Sequence, residues 1–279
     1  MIKRLSTEFA ISKLCSYFKI SRQAFYKATV VKSKTDRKEA VIVEMVQQQR
    51  RQHKKIGGKK LYSLLSSDLL ANDMTLGRDK FFDVLGRNGL LVKRRRKYAV
   101  TTNSYHGFRV YKNEIIDWRP KRPNELWVSD ITYLRTRSGF VYLSLLTDGY
   151  SRKIVGWNLS HSLSIEGAKR ALSMAMRQKK DSRQLIHHSD RGVQYCCKQY
   201  VNILKGRKVK ISMAAAGNCY ENAMAERVNG ILKGEYGLDE TFNNQNDTLL
   251  AVRQAITAYN EKRPHWSLGL RIPAHVHAA

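Results

Sequence analysis

The hydrophobic period changes once along this chain, and the change limits the architectures open to it. Up to about residue 92, apolar residues recur every three or four positions, the spacing of helices that bury one face. From Leu126 onward the runs shorten and become rich in β-branched and aromatic residues, as strands do. An all-helical region is therefore expected to precede an α/β unit.

The helical region is read as follows. Residues 10, 11, 14, 15 and 18 form one apolar face, Lys19-Ile20 interrupts it, and Ser21 caps a short helix from Arg22 to Ala28. Ser21, Arg22, Gln23 and Tyr26 on its exposed side suit a recognition helix in a major groove, although an ordinary helical hairpin has the same pattern. A third helix is expected over 36–52. A second helix pair follows, Gly58 to Leu70 and then a helix capped by Thr75 and closed by Asn88-Gly89. Five consecutive cations, Lys93, Arg94, Arg95, Arg96 and Lys97, come next. They read as a phosphate-contacting arm, with a solvated charge run as the plainer alternative. The expected division is 1–52 (helix-turn-helix and helix), 53–102 (second helix-turn-helix-like region with the basic arm), 103–122 (linker) and 123–279 (the α/β core with a C-terminal helix).

Within the core, strands are expected at Leu126–Leu134, Phe140–Thr147 and Arg152–Ser160, the first two joined by a hairpin turn at Ser138-Gly139. A helix over 165–179, a short strand ending at Asp190, a helix near 196–205, a strand near 208–212 and a helix over 219–236 complete the order. Three antiparallel strands followed by alternating helix and strand predict a mixed five-stranded sheet with helices on both faces.

Charge narrows the partner. The chain has 51 Lys and Arg against 23 Asp and Glu, a net charge of +28. Residues 1–122 carry 29 basic and 10 acidic residues, and residues 123–279 carry 22 and 13. A polyanion offsets such self-repulsion, and nucleic acid is the commonest one. No apolar run is long enough to span a membrane, and the N-terminus lacks the apolar stretch of a secretory signal, so the expected location is the cytoplasm. Cys15, Cys196, Cys197 and Cys219 have no metal-site spacing and read as reduced thiols.

Three carboxylates draw attention. Asp130 lies mid-strand, where alternation puts it on the face of Leu126, Val128 and Leu134; an unpaired charge there is costly unless a cation or water meets it. Asp190 ends a strand, where α/β sheets place functional groups, though turn aspartates are also common. The neighbouring His187 and His188 point to opposite faces of their strand, which argues against a zinc pair. Glu226 shares a helical stripe with Asn222, Asn229 and Lys233, opposite Met224, Val228, Ile231 and Leu232. That stripe reads either as a solvated face or as a third carboxylate with DNA-binding neighbours. Three hard oxygen donors suit two Mg²⁺ or Mn²⁺ ions, which can activate an attacking oxygen and stabilise a departing one.

The segments Trp127–Tyr133, His188–Tyr195 and Asn222–Gly230 resemble the integrase core of insertion-sequence transposases, most closely the second-frame (orfB) product of the IS-three family. Asp190 and Glu226 have 35 residues between them, matching the D,D-35-E spacing of that family. Tyr259–Leu268 is similar to its C-terminal motif, and His53–Thr102 to its N-terminal helix-turn-helix region. The resemblance implies a ribonuclease H-like fold, with Asp130, Asp190 and Glu226 as catalytic metal ligands. It implies an enzyme that binds terminal inverted repeats, nicks one end and joins the 3′-hydroxyl to the same strand at the other. It further implies a homo-oligomer on double-stranded DNA and an upstream-frame (orfA) partner. Glu221 stands where the family usually has Asp, and Ala214-Ala215-Ala216 fills a usually more polar loop. A silent DNA-binding regulator and a nuclease of the same fold are the competing readings.

Overall fold

The structure is a computed structural model that describes residues 5–92, 107–179, 183–214 and 223–279. It divides into two compact units: residues 1–49 with 64–91, and residues 50–63 with 92–279. These units cut across the expected boundary at residue 52, because the stretch 50–63 packs with the second unit.

The first unit is helical. Helix α1 spans Ile11–Tyr17, α2 Arg22–Gln52, α3 Gly58–Ala71 and α4 Arg78–Arg87, with α2 and α3 each passing from one unit into the other. Ser21 caps α2 as expected, its Oγ accepting from the Ala24 amide at 3.0 Å. The short helix and the third helix are, however, one 31-residue helix. Residues 29–35 contain no Gly or Pro to break it. Thr29 and Thr35 bond their hydroxyls back to the carbonyls of Phe25 and Val31, which satisfies them without leaving the helix. Thr75 does not cap α4; Gly77 holds that position. Asn88 and Gly89 close it as expected, Gly89 at φ +64°. Glu39 ties α2 to the end of α4 through Arg87 (2.7 Å) and Asn88 (2.7 Å).

The second unit is built on a mixed sheet. Its strands are β1 (Leu126–Thr136), β2 (Gly139–Asp148), β3 (Ile154–Ser160), β4 (Ile186–Ser189) and β5 (Lys210–Met213), in the order β3-β2-β1-β4-β5. The first three are antiparallel, and β4 and β5 add parallel to β1. A sixth strand not expected from the sequence, β6 (Thr241–Phe242), pairs parallel with Arg135 and Thr136. It fits there because β4 pairs β1 only as far as Ser129, leaving the far end of that edge open.

Helices cover both faces. On one lie α5 (Ile165–Gln178), α6 (Val193–Cys196) and α7 (Lys198–Gly206), packed on Trp127, Leu146, Val155 and Ile211. Helix α5 approaches closely because it presents Ala168, Ala171 and Ala175, and because Gly156 of β3 has no Cβ; one built there would stand 2.2 Å from the Ala171 carbonyl oxygen. On the other face lie α8 (Ala223–Tyr236) and α9 (Gln245–Glu261), whose Val228, Leu232, Val252 and Tyr259 pack on Leu134, Val141, Leu143 and Leu145. A 3₁₀ turn (Trp266–Leu268) and α10 (Pro273–Ala278) end the chain. The described part of the expected linker lies on the core: Ile115 and Trp118 pack near Leu126 and Val128, and the Glu114 amide donates to Ser212 Oγ. Among the described residues, no helix is long and apolar enough to cross a membrane.

Candidate active site

The parallel pairing of β1 with β4 ends at Ser129 opposite Ser189. The next residue of each chain is an aspartate, Asp130 and Asp190. Paired strands are ~4.8 Å apart and put partners on the same face, so this register leaves two carboxylates side by side at the end of the ladder. Asp130 faces the α8 side of the sheet, with Leu126, Val128 and Leu134, as alternation predicts. Glu226 reaches the same neighbourhood from the first turn of α8. Asp130 and Asp190 are partly buried and Glu226 is exposed, so the cluster opens to solvent.

Electrostatics register the crowding. Burial first, and then the charge of Asp190, push the Asp130 carboxyl up to about 7, with Glu226 adding to the rise. The Ile131 backbone N–H and the Asn229 amide oppose it by hydrogen-bonding the ionised form. Asn229 Nδ2 donates to Asp130 Oδ2 at 2.6 Å. Lys233, one turn further along α8, holds its Nζ 4.6 Å from the centre of the Tyr133 ring. Burial lowers the Lys233 ammonium, while Asp130 and Asp239 draw it up.

Among the described residues, no group of three or more His, Cys, Asp or Glu is drawn in around a single metal position. The donor chemistry still fits a hard divalent cation: a carboxylate held against its own burial and two like charges is stabilised by positive charge, and all three side chains offer oxygen. The histidines are otherwise engaged. His187 Nε2 hydrogen-bonds Ser129 Oγ (2.7 Å) and Tyr200 OH (3.0 Å), while His188 Nδ1 meets Ser212 Oγ (2.8 Å) on the opposite face. Burial holds His187 down at about 3, in its neutral form.

Known proteins resemble this chain over most of its length. The integrase core domain family matches residues 120–219, and a second integrase core domain family matches residues 207–273. The insertion element IS600 uncharacterized 31 kDa protein of Shigella sonnei is 35% identical over 266 residues, covering 94% of this chain and 96% of that one. Transposase InsF for insertion sequence IS3A of Escherichia coli strain K12 is 31% identical over 276 residues, covering 96% and 94%. The chain belongs to the IS3 family of insertion-sequence transposases. A chain from the simian T-cell lymphotropic virus intasome, solved in complex with PP2A regulatory subunit B56 gamma, matches with a TM-score of 0.50 at 16% identity, covering 80% of this chain and 75% of that one. The fold is ribonuclease H-like, and the protein is a DNA transposase of the integrase-core type.

The transposase has a second polar cluster, on the side of α8 away from Glu226, that the sequence did not reveal. Arg263 clamps Glu235 with two bonds, Nε to Oε2 at 2.8 Å and Nη2 to Oε1 at 2.9 Å, and Lys60 Nζ adds a third at 2.7 Å. Tyr236 OH meets His53 Nδ1 at 3.0 Å, and the Lys55 amide donates to the Glu235 carbonyl. The stretch 53–60 is thereby fastened to the last turn of the helix that carries Glu226 in its first turn. Arg263 lies in the Tyr259–Leu268 motif, so a sequence signal existed for it; Glu235 and Lys60 carried none.

The remaining candidates have mixed placements. Ser21, Arg22, Gln23 and Tyr26 are exposed, but at the start of a long helix instead of on a short one. Asn229 is buried and turned to Asp130, not outward. Asn222, Lys93, Arg94, Arg95, Arg96 and Lys97 lie outside the described residues, as do Glu221, Ala215 and Ala216.

Proposed function

We propose that Asp130, Asp190 and Glu226 are the catalytic carboxylates of this transposase, that they hold two Mg²⁺ or Mn²⁺ ions, and that the site cleaves and joins DNA at the terminal inverted repeats of an insertion sequence. The observation that carries this reading is the end of the β1–β4 ladder, which sets Asp130 beside Asp190, with the charge of Glu226 felt at Asp130. Bound divalent ions supply activation of an attacking oxygen and stabilisation of a departing one. The chain's own part is to hold three oxygen donors at one opening of the sheet and to offer a phosphate the Lys233 cation, which interacts with Asp130. One site serves both reactions when the attacking group changes from water to a 3′-hydroxyl.

The net charge of +28 supports double-stranded DNA as the partner. Ser21, Arg22, Gln23, Tyr26, the arm Lys93–Lys97 and Asn222 are the proposed DNA-binding groups. The family points further to a homo-oligomer assembled on DNA and to the upstream-frame product as a second partner. The test is Asp130→Asn, assayed on a labelled duplex of the element's terminal repeat in Mg²⁺. Cleavage and joining are expected to be lost while end binding stays within about twofold; full cleavage by the variant overturns the assignment.

A further inference from the structure

Asn229 sits one helical turn beyond Glu226 on α8 and is 7% exposed. Its Nδ2 donates to Asp130 Oδ2, but its Oδ1 is buried and has no hydrogen-bond partner among the described residues. An unsatisfied buried amide oxygen is destabilising, and the bond that the same amide donates to the Asp130 carboxylate offsets it.

What it does is specific to Asp130. A lysine or arginine at 229 neutralises the carboxylate it touches, and an acid repels it. A neutral amide donor of this length orients the carboxylate and leaves its charge in place. Asp130 therefore accepts from the Ile131 N–H on its own strand and from Asn229 on the helix that also carries Glu226. That second bond ties together the two elements that present these two carboxylates.

We propose that Asn229 is a positioning residue that fixes the orientation of the Asp130 carboxylate relative to Glu226, and is not a contact for DNA. The proposal rests on the reading of Asp130 as a catalytic carboxylate. A group that orients a reacting carboxylate changes the rate of the chemical step and leaves substrate affinity alone, whereas a DNA contact changes affinity.

The test uses full-length Asn229→Leu and Asn229→Ala, with Asp130→Asn in parallel. End binding is measured in metal-free buffer on the terminal-repeat duplex, single-turnover cleavage at saturating DNA in Mg²⁺, and folding by the thermal midpoint. Both Asn229 variants are expected to cleave roughly 10–100-fold more slowly, the range for loss of a group that orients a ligand. Their end-binding Kd stays within twofold, and Asn229→Leu melts no lower than Asn229→Ala. Two results overturn the proposal: wild-type cleavage in either folded variant, or a loss of end binding that matches the loss of cleavage. Full cleavage by Asp130→Asn is a different result and overturns the parent reading instead. Should Asn229→Leu fail to fold, Asn229→Ala, which only removes atoms, decides by the same two measurements.

Discussion

Replacing Glu235 by Gln takes away the anion that Arg263 and Lys60 share. Arg263 and Lys60 side chains are only 2% and 8% exposed, and Glu235 is 19% exposed, so water screens this cluster weakly. Burial alone pushes the Glu235 carboxyl up, but the hydrogen bonds and charge of Arg263, with those of Lys60, outweigh it and bring it from 4.5 to about 2. A fall of that size corresponds to about 3 kcal/mol of folding stability. The variant also leaves two cations buried without a counter-charge, for which breaking a buried pair costs roughly 3–5 kcal/mol. Lys60 is the weaker partner, since burial and the charge of Arg263 both lower its ammonium. The expected loss is therefore about 3 kcal/mol at pH 7, read by urea denaturation followed by tryptophan fluorescence. The pH dependence has a definite sign. A carboxyl lowered on folding contributes in full above its ordinary value and loses that contribution as pH falls toward its folded value. The wild-type advantage should hold at pH 7, shrink from about pH 5 downward and be nearly gone by about pH 2. A gap below about 1 kcal/mol at pH 7, or one that does not change between pH 5 and 2, refutes the argument.

Other substitutions probe separate features. Gly156→Ala puts a Cβ 2.2 Å from the Ala171 carbonyl oxygen and 2.9 Å from Ala175 Cβ, so it should cost about 1–3 kcal/mol in urea denaturation, and unchanged stability contradicts the close approach of β3 and α5. Lys233→Ala should weaken end binding and lower the slope of log affinity against log salt by about one; an unchanged slope removes Lys233 from the phosphate contacts. Replacing Arg94, Arg95 and Arg96 together by Ala should reduce that slope by roughly three, and the same titration decides it.

Much of this architecture could be read from periodicity. Alternation along β1 gave the face of Asp130, and a 3.6-residue period grouped Glu226 with Asn229 and Lys233, because both periods are local properties of the backbone. Periodicity does not say what packs against a face. The polar stripe of α8 resembled a solvent-facing surface, yet Asn229 is spent on a strand 99 residues earlier in the chain. The Glu235 cluster was hidden for the same reason, since Lys60 lies 175 residues from its partner. The unbroken α2 was missed because a polar, β-branched stretch reads as a break unless its threonines bond back to the helix, and such bonds leave no pattern in spacing. β6 is two residues long, too short for any period.

The end of the β1–β4 ladder also governs where this chain can change length. One residue inserted within Leu126–Ser129 or Ile186–Ser189 turns one aspartate to the other face of the sheet, and two residues restore the face but displace it by ~6.6 Å along the strand. Insertions before Leu126 or between β3 and β4 leave the pairing untouched. Length variation among functional relatives should therefore gather in the connecting segments and stop short at these eight ladder positions. A relative that breaks this rule must have rebuilt its acidic pair from other residues.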